Sequence, residues 1–293
     1  MNSKKETKKN PTETNSWSEL EKHYFNIKKN YIENDKFKST MLNDPSRFNN
    51  FSYSIFNDFF VDFSKNFITS QTIDLFCKLS DDINLGDHIS DMFSGELINE
   101  TENRAVLHTA MRNNPETPFF VNNNNIMPEV NRELNRIEKI VKNIHTQKHL
   151  GYSNKPITDI VNIGIGGSDL GPYLVCEALQ NYADKKLNVH FVSNIDAFHI
   201  SQVLQSVNPE TVLFVIVSKS LRTIETKVNA ETALKWLIKK SGCDKKILMK
   251  RHFVAVSNNV EEAEKMGIDS DNLFPMFDSV GGRFSLWSCA GIS

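Results

Sequence analysis

The chain has 293 residues, 39% of them hydrophobic, with 20 Phe and a formal net charge of -2. That length exceeds one typical domain and allows about two, and the charge gives no general attraction for nucleic acid or an anionic membrane. No apolar run approaches the ~18 residues that span a bilayer, so neither nucleic acid nor membrane is expected as a partner.

Residues 1–16 are polar and lysine-rich and lack the apolar stretch of a secretory signal. They are expected to form a disordered tail. From 17 to 120 the periodicity is mostly helical: Leu20, Tyr24 and Ile27 recur at helical spacing, as do Ile73, Phe76, Cys77 and Leu79. The run 101–112 predicts a further helix, with Arg104, His108 and Arg112 on one face at i, i+4, i+8. That face reads as a solvated or interdomain surface, since an acid–base role for His108 has no partner nearby in sequence. Cys77, Cys176, Cys243 and Cys289 are far apart and fit neither a CxxC pair nor a zinc spacing. They read as reduced thiols of a cytoplasmic protein, with no metal.

After an asparagine-rich loop at 122–125 and a helix around 130–145, strand-like runs alternate with helical ones. Strands are expected at 160–165, 189–192, 212–217, 253–256 and 273–277; helices are expected at 170–179, 197–204, 224–238 and 260–266. The pattern predicts an α/β fold: a helical N-terminal region over 17–120, then a parallel sheet sandwiched by helices over 121–293.

Glycine is scarce, at 12 residues, yet four fall between Gly164 and Gly171 and Gly281 adjoins Gly282. Such clusters mark tight turns or close approach to a ligand. Gly167 and Ser168 stand where a strand gives way to a helix, whose free N–H groups and dipole suit an anion. A tight turn without a ligand gives the same pattern. The carboxyl ends of the strands in such a sheet share one edge, and every one of them here is polar.

The loop after the third strand is the sharpest candidate. Ser218-Lys219-Ser220-Leu221-Arg222-Thr223 offers three hydroxyls, two cations and a helix start, a cradle for a phosphate dianion. The alternative is a plain helix cap, with Thr223 at the N-cap and Glu225 in the first turn. Arg283, beside Gly282, suits stabilisation of an anion developing during reaction, or else a surface salt bridge. A nicotinamide-binding domain fits less well, because Asp169 stands where the dinucleotide fingerprint needs its last glycine. Asp196, at the second strand end, is placed as that fold's ribose-binding acid.

Several segments resemble phosphoglucose isomerase, in the family's order. They are Asn162-Ile-Gly-Ile-Gly-Gly-Ser-Asp-Leu-Gly-Pro172, Thr101-Glu-Asn-Arg-Ala-Val-Leu-His108, Thr223-Ile-Glu-Thr226 with Asn229-Ala-Glu231, and Val280-Gly-Gly-Arg-Phe-Ser-Leu-Trp-Ser288. The resemblance implies the first of the family's two sugar-isomerase-type sheet domains. It also implies interconversion of glucose 6-phosphate and fructose 6-phosphate without a cofactor, in a homodimer. On that basis Gly167, Ser168, Ser218, Lys219, Ser220 and Thr223 contact the hexose 6-phosphate, mainly its phosphate. Gly282 and Arg283 lie beside the reacting carbons, with Arg283 stabilising the enediolate.

Two loops depart from the family pattern. Leu221-Arg222 stands where the family reads Phe-Thr, exchanging a hydroxyl for a cation. Asp196-Ala197-Phe198-His199 stands for the more usual Asp-Gly-Thr-His, leaving His199 as a peripheral candidate. The family's proton-transferring glutamate, and its ring-opening histidine and lysine, belong to a second sheet domain that nothing up to Ser293 matches. The chain is therefore expected to bind a sugar phosphate and, alone, not to isomerise it. A non-catalytic sugar-phosphate-binding module is the other reading.

Overall fold

The computed structural model describes residues 9–34 and 36–293. They form two compact units, divided between Ser90 and Asp91. This division precedes the boundary near 120 expected from periodicity. Ala105, Leu107, Met111 and Phe119 pack with Met127, Val130 and Val280, which ties the segment after 100 to residues later in the chain.

In the first unit, a 3-10 turn at Pro11–Glu13 leads into α1 (Asn15–Ile27). The expected tail thus needs correction over 9–16, while 1–8 lie outside the described residues. Order there has two local causes and one distant one: Asn10 caps the 3-10 turn, Thr14 caps α1, and buried Ser16 donates to the distant Asp82 Oδ2 at 2.7 Å. Asp82 closes α4 (Ser70–Asp82), which packs on α1 through Ser16 and through His23 and Thr72, 2.8 Å apart. Ile27 and Leu75 are buried, whereas Tyr24 and Phe76 are exposed. Between these helices lie a π-turn (Lys28–Ile32), α2 (Phe37–Leu42), α3 (Arg47–Phe51) and a hairpin of β1 (Ser52–Ile55) with β2 (Phe59–Asp62). α5 (Leu85–Ser94) follows.

The helix expected over 101–112 does not form; only Ala110–Arg112 is helical, as one 3-10 turn. Its backbone groups are engaged elsewhere: Asn99 and Arg104 form an antiparallel bridge, and Leu107 N–H donates to Ser279 O. Next, β3 (Phe120–Val121) and β4 (Asn124–Asn125) make a tight hairpin. Asn122 and Asn123 take positive φ at its tip, as a two-residue hairpin turn requires. α6 (Met127–His145) follows.

The five expected strands are present and parallel. They are β5 (Asp159–Ile163), β6 (Asn188–Val192), β7 (Val212–Val217), β8 (Phe253–Val256) and β9 (Leu273–Phe274), in the order β6-β5-β7-β8-β9. Alternate residues face opposite layers, as the pleat dictates. Val161, Ile163, Phe214, Ile216 and Ala255 pack on one side with α8 (Ala197–Ser206), α9 (Ile224–Ser241), α10 (Lys245–His252) and α11 (Val260–Met266). Ile160, Leu213, Val215, Val254 and Val256 pack on the other with Ile144 of α6 and with Cys289 and Ala290. Covered on both faces, β7 and β8 are buried throughout, which explains their unbroken apolar runs. α7 (Gly167–Ala178) joins β5 to β6. Among the described residues, no helix is long and apolar enough to cross a membrane.

Candidate anion-binding cleft at the strand termini

The chain leaves β5 toward β6 on one side and returns to β7 on the other. That reversal opens a crevice beyond the carboxyl ends of β5 and β7, the usual ligand position in open α/β sheets. The loops carrying Gly167-Ser168 and Ser218-to-Thr223 border it.

The β5 loop turns at Gly166, with φ +62 and ψ -118, a conformation that glycine alone adopts readily. Gly167 then meets Gly282 backbone to backbone; a Cβ at Gly167 would lie 2.3 Å from Gly282 O. Ser285 Oγ donates to both Gly167 O (3.2 Å) and Gly282 O (2.7 Å), fastening the two glycine segments. Sequence distance hid this pairing.

In the β7 loop, Ser218 is buried, and its Oγ donates to Thr223 Oγ1 at 3.3 Å and accepts from Leu221 N at 3.2 Å. Thr223 holds the N-cap position, yet its side chain makes no capping bond. The first N–H groups of α9 therefore lack a side-chain cap beside the two hydroxyls. Leu221, at φ +52, plugs the core beneath the loop, so an apolar residue suits this departure from the family pattern. Arg222 is exposed and acts on the α11 side. There Glu261 lies below the ordinary carboxylate range, chiefly through its Lys265 hydrogen bond and in smaller part through Arg222.

These elements enclose a cavity of about 220 Å³. Gly167, Ser168, Ser218, Lys219, Thr223 and Gly282 of the expected site all line it. Ser220 does not: it is exposed, and its Oγ accepts from Arg222 N. Arg283 is also exposed, lines no part of the cavity and forms no salt bridge with the described residues. Thr226, one helical turn beyond Thr223, lines it and was missed. Its buried Oγ1 has no hydrogen-bond partner. The i, i+3 spacing from Thr223 was the available signal. A second lobe of about 480 Å³ shares Lys219, Gly281 and Gly282 with the first and adds His108 and Asp278.

Loops from β8 and β9 brace this edge. Ser257 Oγ donates to Lys219 O at 3.0 Å, and Asn259 Nδ2 to Ser220 O at 3.1 Å. Asp278 accepts from Asn258 Nδ2 at 3.0 Å and lies 3.2 Å from Lys219 Nζ. Burial opposes its ionisation, but hydrogen bonds from Lys219 and Asn258 and the charges of Lys219 and Arg104 outweigh burial and hold the carboxyl below its ordinary value.

The remaining candidates have local roles. Asp196 caps α8 by accepting from Phe198 N at 2.7 Å. Asp169 is buried, which pushes its carboxyl up against a smaller opposing pull from His199. His108 packs at a tilt against Phe284, ring centroids 4.7 Å apart, and burial first, then Arg112, lowers its pKa. Among the described residues no group of three or more His, Cys, Asp or Glu side chains could hold a metal.

Fold and cleft together define an α/β sheet domain of the sugar-isomerase type, with an anion-sized cavity at its topological switch point. The family description "Phosphoglucose isomerase" matches residues 62–293. The chain belongs to the phosphoglucose isomerase family. It is 47% identical over 284 residues to a glucose-6-phosphate isomerase from Christiangramia forsetii, covering 97% of this chain and 50% of that protein. Its fold is similar to a crystal structure of a glucose-6-phosphate isomerase from Chlamydia trachomatis, with a TM-score of 0.76 and 24% identity, covering 97% of this chain and 52% of that one. The chain spans about half the length of both.

Proposed function

We propose that this chain supplies the phosphate-binding half of a glucose-6-phosphate isomerase, which interconverts glucose 6-phosphate and fructose 6-phosphate by proton transfer through an enediolate. One observation carries the reading: Ser168, Ser218, Lys219 and Thr223 converge on one cavity at the uncapped start of α9. Hydroxyls, an ammonium and helix-terminal N–H groups complement a phosphate dianion, whose charge strengthens each hydrogen bond. Gly282 would let the sugar approach the backbone closely, and Arg283 would turn toward the enediolate oxygen. By resemblance the working unit is a cytoplasmic homodimer acting in glycolysis and gluconeogenesis, without an organic cofactor.

The reaction also needs a base within hydrogen-bond reach of the substrate. Among the described residues no carboxylate or imidazole lines the smaller lobe, taken as the anion lobe, so the chain by itself is read as a binder of the sugar phosphate. The test is a calorimetric titration. Fructose 6-phosphate should bind and be displaced by inorganic phosphate, while fructose should not bind. Equal binding of fructose and its 6-phosphate would overturn the reading.

A further inference from the structure

Lys219 stands between the two lobes with its ammonium already engaged. Nζ donates to the backbone O of Asp278 at 3.1 Å and lies 3.2 Å from Oδ1 of the same residue. Arg104 also reaches Asp278, its Nη1 3.2 Å from the backbone O and 3.6 Å from Oδ1. Two cations therefore share one carboxylate. Lys219 borders the anion lobe, whereas Arg104 lines neither lobe.

An incoming phosphate competes with Asp278 for the Lys219 ammonium. Asp278 is largely exposed, with its side chain 62% accessible, so releasing the ammonium costs no more than an exposed ion pair is worth. Arg104 offsets that modest cost, because it keeps the carboxylate paired after Lys219 leaves. We propose that Asp278 and Arg104 are a positioning pair that sets how readily Lys219 is released to the ligand's phosphate. Asp278 parks the ammonium at the junction of the lobes, and Arg104 neutralises Asp278 once Lys219 turns to the anion. This rests on the reading of the smaller lobe as a phosphate site.

The two residues have opposite signs of effect, which a purely structural role does not produce. Inorganic phosphate is titrated calorimetrically into the full chain and its variants at one ionic strength. Asp278→Asn, which keeps an acceptor for Asn258, should tighten phosphate about threefold, and Arg104→Met should weaken it about threefold, the range of exposed ion pairs. The double variant should match Asp278→Asn alone. In a Lys219→Met background, where the hydroxyls and helix start remain, neither change should shift affinity by as much as about twofold. Through-space charge would persist without Lys219, and a damaged fold would weaken binding in every variant; either result overturns the pair. So does failure of Asp278→Asn to tighten binding. A wild-type chain that binds no phosphate overturns the anion-site reading itself.

Discussion

Asn162 completes the helix that Pro172 interrupts. Pro172 lies inside α7 and has no N–H to give to Ser168 O, four residues back. The fully buried Asn162 of β5 donates its Nδ2 to that carbonyl at 3.1 Å. A strand side chain thus holds Ser168 at the anion lobe. Asn162→Asp keeps the buried, partnerless Oδ1 and replaces only the donor, so it should set an acceptor against the carbonyl and lower stability by at least about 1–3 kcal/mol. Urea unfolding reads this directly, and an unchanged midpoint would show that the bond contributes nothing.

Thr226 predicts a change of opposite sign. Its buried Oγ1 has no partner, and an unsatisfied buried hydroxyl costs about 1–3 kcal/mol. Thr226→Val preserves shape and removes the hydroxyl, so the ligand-free chain should gain roughly 1 kcal/mol. A loss of stability by denaturant unfolding would mean that the hydroxyl is satisfied in solution.

The sheet was legible because its strands are buried on both faces. The runs 212–217 and 253–256 are apolar without interruption and rich in valine, and they coincide with β7 and β8. The helix 260–266 was marked at both ends, by Asn259 as cap and by left-handed Gly267. What misled was spacing without context. Arg104, His108 and Arg112 fit a helical face, yet Leu107 spends its N–H on Ser279, far along the chain. Of the contiguous loop read as a cradle, Ser218, Lys219 and Thr223 line the cavity and Ser220 does not. The placing of Asp278 beside Arg104, or of Gly282 against Gly167, was not legible, because periodicity identifies strands but not their neighbours in the sheet.

His252 makes stability pH-dependent. It has no solvent exposure, its Nδ1 lies 2.6 Å from Val212 O, and its Nε2 accepts from Tyr152 N at 2.8 Å. Burial lowers its pKa, outweighing the Val212 bond, with His149 and Arg251 adding to the decrease. The folded state thus binds the proton less readily than the unfolded one. Stability from this group is complete above the unfolded value of about 6.5 and is lost as pH falls from there through the folded value. Unfolding free energy should therefore decline as pH falls below about 6.5, and His252→Gln should flatten that slope. An equal slope in the variant would assign the dependence to other groups.

Catalysis by this chain alone should be at most trace. Lys219 and the hydroxyls can hold a phosphate, and arginine stays protonated and cannot serve as a base. General acid–base catalysis typically contributes about 10²–10⁴-fold, and among the described residues no carboxylate or imidazole lines the anion lobe to supply it. A coupled assay with fructose 6-phosphate should give no enzyme-like rate. A substantial rate that Arg283→Ala abolishes would reveal a base within these residues.

The central claim is that the β7 loop recognises a phosphate through hydroxyls that face one cavity, and two serines of that loop test it. Ser218 lines the anion lobe, whereas Ser220 is exposed and bonded to Arg222 N. A hydrogen bond to a charged group is worth about 1.5–3 kcal/mol. Calorimetric titration with fructose 6-phosphate should therefore show Ser218→Ala weakened by at least about tenfold and Ser220→Ala by less than about threefold. Unchanged affinity in Ser218→Ala, or a larger loss in Ser220→Ala, would contradict the assignment of this loop.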